Sequence, residues 1–169
     1  MTINEQGHRI LEIAHGWAAD DGGRAELMFS LAHLWRMSAN KASAPYVMVC
    51  YNGEDQRENF PGGAITGRVD RHWIVALRRD RQLNQNPGDS LSESRQNARP
   101  LYDLVDEMRD LCRSILFSPQ NEERPVDFKS VRPMVDPFGV PHDGYLVEFS
   151  VGTQLGLVVE STDEMLVPA

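Results

Sequence analysis

The stretch from Val69 to Leu77 constrains this chain more than any other. Arg71, Trp73, Val75 and Leu77 alternate there with Asp70, His72, Ile74 and Ala76. A period of two, carried by β-branched and aromatic residues, predicts a strand. The run Tyr46–Tyr51 is apolar throughout and rich in strand formers, as expected of a strand buried on both faces. The two form an expected antiparallel pair joined by a long loop, Asn52–Gly67, which holds Pro61-Gly62-Gly63 and several charges. Further on, Tyr145, Val147, Phe149 and Val151 alternate with Leu146, Glu148, Ser150 and Gly152, predicting another strand with one partly polar face. Turn residues crowd Asp136–Gly144 before it, and Val126–Val131 is a weaker strand pattern.

Helices interleave with these strands. Ile10, Ile13, Ala14 and Trp17 recur at helical spacing and predict a helix over roughly residues 4–19, closed by Asp20-Asp21-Gly22-Gly23. Leu27, Met28, Leu31, Leu34 and Trp35 suggest a second one, from Ala25 to Met37, with a linker from Ala42 to Pro45. The strongest helical pattern is Leu101–Phe117. Pro100 suits its first turn, and Leu101, Leu104, Val105, Met108, Leu111, Cys112, Ile115 and Leu116 form one stripe. Asp103, Asp106, Glu107, Arg109, Asp110 and Arg113 take the other face, acids early and arginines late, as the helix dipole favours. Ahead of it, Asn84–Asn97 is polar and aperiodic, the signature of a long loop. The expected fold class is α+β, a mostly antiparallel sheet of about four strands backed by two to three helices. At 169 residues the chain suits one domain, here 1–155, with 156–169 as a terminal strand or an arm reaching a neighbour.

Little in the sequence points to chemistry. A net charge of −8 argues against a duplex binder, which needs a basic excess to neutralise phosphate. The apolar runs are far shorter than the roughly 20 residues of a membrane helix, and the first residues lack a secretion-signal pattern. Cys50 and Cys112 sit in apolar surroundings, so both read as buried thiols of a protein in a reducing cytosol. His8, His15, His33, His72 and His142 show no zinc-ligand spacing, and the P-loop, dinucleotide and Gly-x-Ser-x-Gly patterns are absent. No catalytic residue, metal or cofactor is therefore expected. Asp127-Phe128-Lys129 matches a short Asp-x-Lys nuclease element, but the acid that would complete it has no strand to come from. The acids Glu54, Asp55 and Glu58 lack calcium-loop spacing and read as solvated charge. Arg71, Arg78, Arg79 and Arg81, with Arg68, surround the Val69–Leu77 strand as a solvated strand edge or as a contact for another protein's acidic face. These arginines and the three loop acids are the candidate interface residues.

In its order of elements the chain resembles the bacteriophage tail-terminator (tail-completion, minor tail protein U-like) family. The matching features are the N-terminal helix, Pro45 leading into Tyr46–Tyr51, and Val69–Leu77 with its Asp70-Arg71-His72-Trp73 start. The long polar loop before Pro100-Leu101-Tyr102-Asp103-Leu104-Val105-Asp106 and the late strand Gly144–Val151 complete it. The match covers most of residues 4–155, by order and pattern; the helix expected at Ala25–Met37 departs from the simplest family plan. The resemblance implies a non-enzymatic virion protein, assembled in the host cytoplasm. Its copies would form a ring, a hexamer in similar proteins, that caps the tail tube and meets the head–tail connector. DNA would only pass through, and an acidic lumen suits that role. A head-closure or adaptor protein is the alternative within the same class, and a small Mg²⁺-dependent nuclease the alternative outside it.

Overall fold

A computed structural model describes residues 2–19, 22–39, 45–56, 68–79, 103, 105–107, 109–110 and 126–154. Helix α1 (Ile3–Ala19) is followed by strand β1 (Arg24–Met28), helix α2 (Leu31–Ser38), and strands β2 (Tyr46–Gln56), β3 (Arg68–Arg78), β4 (Asp127–Val135) and β5 (Pro141–Gln154). The strands make one sheet in the order β1-β2-β3-β5-β4, parallel between β1 and β2 and antiparallel elsewhere. The α+β class and the mostly antiparallel sheet are as expected, with five strands rather than about four. The additional strand is β1.

α1 begins on a reciprocal cap that the sequence spells as Thr2-x-x-Glu5. The Thr2 backbone amide donates to Glu5 Oε2 at 2.6 Å, and the Glu5 amide donates to Thr2 Oγ1 at 3.2 Å. Gln6, Ile10, Ala14 and Ala18, each four residues on from the last, are buried against the sheet. Small residues let this helix come close. A Cβ on Gly7 would lie 3.0 Å from the Trp73 ring.

The helix expected over Ala25–Met37 is instead a strand, a corner and a helix. Leu27 and Met28 are consecutive, yet Leu27 packs into the cluster under α1 while Met28 packs on the opposite face of the sheet. Only a strand separates neighbours in that way. β1 runs beside β2, Arg24 opposite Tyr46 through Met28 opposite Cys50. Ser30 then caps α2, its side chain accepting the His33 amide at 3.1 Å.

β2 extends beyond Tyr51, correcting the loop expected to start at Asn52. An irregularity between Tyr51 and Glu54, with Gly53 at φ +95°, shifts the register, after which Glu54, Asp55 and Gln56 pair with Arg71, Asp70 and Val69. β4 likewise runs past Val131 to Val135. It tolerates Pro133 because it is an outer strand. β5 starts at Pro141, inside the segment expected to be turn, and pairs with β3 from Gly144 opposite Arg78 to Gln154 opposite Arg68. Gly144 is required there: a Cβ would lie 2.2 Å from the Leu77 carbonyl oxygen.

The sheet is apolar on both faces. One face carries Val47, Val49, Trp73, Val75, Leu77, Val147, Phe149 and Val151 beneath α1. The other carries Tyr46, Met48, Cys50, Ile74, Ala76, Leu146 and Met134 beneath α2, whose Leu34 is fully buried. Truncating a side chain such as Leu34 to Ala costs roughly 2–5 kcal/mol in a packed core. Of the predicted third helix, the described residues are helical. Val105 from its apolar stripe is buried in the α1-side cluster, and Asp103, Asp106, Glu107 and Asp110 from its polar face are exposed. The rest of Leu101–Phe117, the loop Asn84–Asn97 and the tail 155–169 lie outside the described residues.

Candidate functional site

β3 is the central strand, so the arginines along it are not a strand edge. Arg71 is only 5% exposed. Its Nε donates to Glu54 Oε2 at 3.3 Å, and the same carboxylate oxygen accepts the Tyr51 hydroxyl at 3.1 Å. Desolvation first, then the Glu54 carboxylate, push the Tyr51 hydroxyl above its ordinary value of 10.0. Arg78 is 8% exposed. Neither guanidinium is the exposed cation the sequence suggested, because a central strand covered by helices on both faces leaves little side chain open. Arg79 is half-buried, its amide donating to the Asp143 carbonyl at 3.1 Å. Asp55 is in β2 rather than in a loop and reaches across to His72 Nε2 at 2.9 Å. Arg81 and Glu58 lie outside the described residues. The structure thus joins Glu54 with Arg71 and Asp55 with His72 as cross-strand pairs within the chain.

Next to the Arg71 pair is a buried polar relay that periodicity alone did not reveal. Gln6, fully buried in α1, donates from Nε2 to Thr153 Oγ1 at 2.6 Å and accepts from Trp73 Nε1 at 3.3 Å. It ties the first turns of α1 to β3 and β5 at one point. Gln6 is one turn ahead of Ile10 on the buried row, and that was the available signal.

On the other face, His142 draws α2 to the β4–β5 turn. Its Nδ1 is 2.9 Å from Ser38 Oγ, its Nε2 is 3.3 Å from Asp136 Oδ2, and its ring lies 5.6 Å from that of Trp35. The Ser-His-Asp order resembles a hydrolytic triad in outline only. Ser38 is fully buried, and Asp136 Oδ1 accepts the amides of Phe138 and Val140, both at 2.9 Å. A nucleophile must be reachable and its base free to move a proton; here the three groups clamp a helix end to a turn.

The exposed apolar side chains have a pattern of their own. Phe29, at the corner between β1 and α2, is 95% exposed, with Leu31 beside it in sequence. Phe138, in the β4–β5 turn, is 93% exposed, with Val140 and Val135 nearby in the chain. β1 and β4 are the two outer strands, so the two spots flank opposite sides of the sheet. At ~4.8 Å between strands, they are offset by roughly 15–19 Å across the sheet, and they are offset along it as well: Phe29 follows Met28 in the row of Cys50, Ile74 and Glu148, while the turn lies beyond the row of Arg78 and Gly144. Sequence periodicity missed both, since each Phe lies in a turn where no repeat marks it.

Among the described residues no group of three or more His, Cys, Asp or Glu side chains is arranged to hold a metal. Lys129 Nζ is 2.6 Å from Asp127 Oδ2, an exposed pair on the outer strand β4. No helix among the described residues is long and apolar enough to cross a membrane. In comparisons with known proteins, no family model and no curated protein matches the chain.

Proposed function

We propose that the chain is a structural subunit of a phage virion, a tail terminator whose copies form a ring, six in number, that caps the tail tube and joins it to the head. The observation that carries this reading is the pair of exposed aromatics flanking opposite sides of one sheet. A subunit that must touch one neighbour on each side, through different surfaces, needs two separate sticky spots. The order of elements read from the sequence supports the same reading through the family resemblance. Charge fits as well: −8 per copy disfavours tight binding to DNA that must pass through a lumen. In this role the protein has no chemistry of its own, and its work is done by shape and by contact.

Light scattering behind size exclusion, run with and without purified tail-tube protein, tests the proposal. A particle of about 115 kDa, six times the 19.1 kDa chain, is expected alone or once tubes are present. Negatively stained tubes should then end in a cap. A chain that stays monomeric in both runs and leaves the tube ends bare overturns the proposal.

A further inference from the structure

We infer that α2 is a hinged cap, latched at its far end by His142, that opens and closes while the sheet beneath it stays folded. This goes beyond the ring reading and does not depend on it.

The two helices are held to the sheet in different ways. α1 has 17 residues and buries Gln6, Ile10, Ala14 and Ala18, with Gln6 bonded to both β3 and β5. α2 has eight residues, of which Leu34 and Ser38 are buried and Trp35 and Met37 partly so. A helix that short is not stable in water by itself, so it persists only through what it touches. Among the described residues no backbone hydrogen bond joins α2 to a strand. Its start is fixed locally: Ser30 Oγ accepts the His33 amide, and His33 Nδ1 accepts the Phe29 amide. Both bonds lie within residues 29–33 and can travel with the helix. Its end is fixed to the sheet, where His142 of β5 sets Nδ1 2.9 Å from Ser38 Oγ and 3.4 Å from the Ser38 carbonyl oxygen. The same imidazole lies against Trp35 and reaches Asp136 Oδ2. One side chain of the sheet thus grips the last turn of α2, and the Phe29–Ser30 corner after β1 is the hinge.

The bed under the cap suits such motion. Met28, Met48 and Met134 line it, and Met37 comes from α2 itself. Unbranched thioether side chains repack at low cost, whereas β-branched ones are stiff. The α1 face, by contrast, is built on Val47, Val49, Val75, Val147 and Val151. Opening of one weakly held element costs less than unfolding the whole chain. Cys50 reports that opening. It is fully buried, and among the described residues α2 is the only element outside the sheet in its cluster. Its thiol therefore reacts once α2 has lifted, with β2 still paired to β3.

Iodoacetamide labelling of the full chain in 0 M urea and in rising urea below the unfolding transition, with Cys50 read by peptide mass spectrometry, tests the inference. A lifted cap exposes little surface, so the labelling rate should rise with urea at a small fraction of the slope for global unfolding. Amide exchange over residues 31–39 should follow the same weak dependence while the β2 and β3 amides stay protected. His142→Ala should speed Cys50 labelling roughly fivefold to tenfold, the loss of about one hydrogen bond; Ser38→Ala serves if that variant does not fold. Gln6→Leu, or Thr153→Val in its place, loosens the α1 side alone and should leave Cys50 labelling within about twofold of the wild type. A labelling rate that climbs with the full unfolding slope overturns the cap, as does acceleration by the α1-side variant that matches its loss of global stability. A latch variant that labels at the wild-type rate overturns it too.

Discussion

Replacing Gln6 by Leu is the sharpest test of how α1 is held. The change keeps roughly the same volume but removes both hydrogen bonds. Trp73 Nε1 then has lost its 3.3 Å acceptor in a site with no solvent, whereas Thr153 Oγ1 keeps its 3.4 Å bond to the Val151 carbonyl. An orphaned buried donor costs about 1–3 kcal/mol, and an isosteric apolar replacement returns part of that through burial. A net loss of about 2 kcal/mol is expected, a large share of the 5–15 kcal/mol that holds a typical domain. Thr153→Val alone should cost about 1 kcal/mol, because it removes the buried 2.6 Å bond from Gln6 Nε2. The double variant should fall short of the sum by about 1 kcal/mol, since each change removes the other's partner. Urea unfolding followed by tryptophan fluorescence reads all three, with unchanged slopes if the native state stays compact. If Gln6→Leu unfolds within about 0.5 kcal/mol of the wild type, or if the double variant is simply additive, the relay does not hold the helix.

Three other outcomes can be checked alongside. Gly144→Ala places a Cβ 2.2 Å from the Leu77 carbonyl oxygen and 2.7 Å from Met134 Sδ; backbone cannot yield as a side chain can, so a loss of about 3 kcal/mol in urea unfolding is expected, at the top of the overpacking range, and a neutral variant would refute the close β3–β5 approach. The backbone bond from Val140, chiefly, holds the Asp136 carboxyl below its ordinary 3.8; a depressed acid stabilises the fold above that pH and stops doing so as pH falls through its lower folded value, so thermal unfolding between about pH 5 and pH 2 should show a shallower acid loss in Asp136→Asn. Burial pushes the Cys50 thiol up to about 11, so in a Cys112→Ser background iodoacetamide at neutral pH should label it only as fast as the chain opens, and rapid stoichiometric labelling of the native protein would contradict its burial.

How far the sequence could be read turns on where local preference and final environment agree. Val69–Leu77 was legible because its alternation and its central position require the same residues. β1 was not, because Arg24, Ala25, Glu26, Leu27 and Met28 are all good helix formers, and only pairing with β2 makes them a strand. Leu31, Leu34 and Trp35 then continued a helical spacing across the Ser30 cap and hid the break. The end of β2 was missed because Asn52 and Gly53 look like a turn, and a register shift in mid-strand uses the same residues. For the candidate site, residue type was the wrong guide. A run of arginines suggests surface, yet Arg71 and Arg78 are enclosed by the sheet they belong to, and Arg71 is matched by Glu54 across the strand. The two aromatics that do face outward each stand alone in a turn, where pattern reading has nothing to count.

The position of β5 has a consequence for how the protein is made. It is the last described strand in the chain, yet it lies between β3 and β4 rather than at the margin. On a ribosome, α1 through β3 can emerge and associate early, but β4 has nowhere to attach until residues 141–154 have been synthesised. Until then β3 offers one open flank to any other nascent chain. Completion of the described sheet thus waits for residues 141–154, which also close the Asp136–Val140 turn between β4 and β5. Products that stop before residue 141 would leave β4 unpaired and β3 open on one flank, and open strand flanks are prone to aggregation.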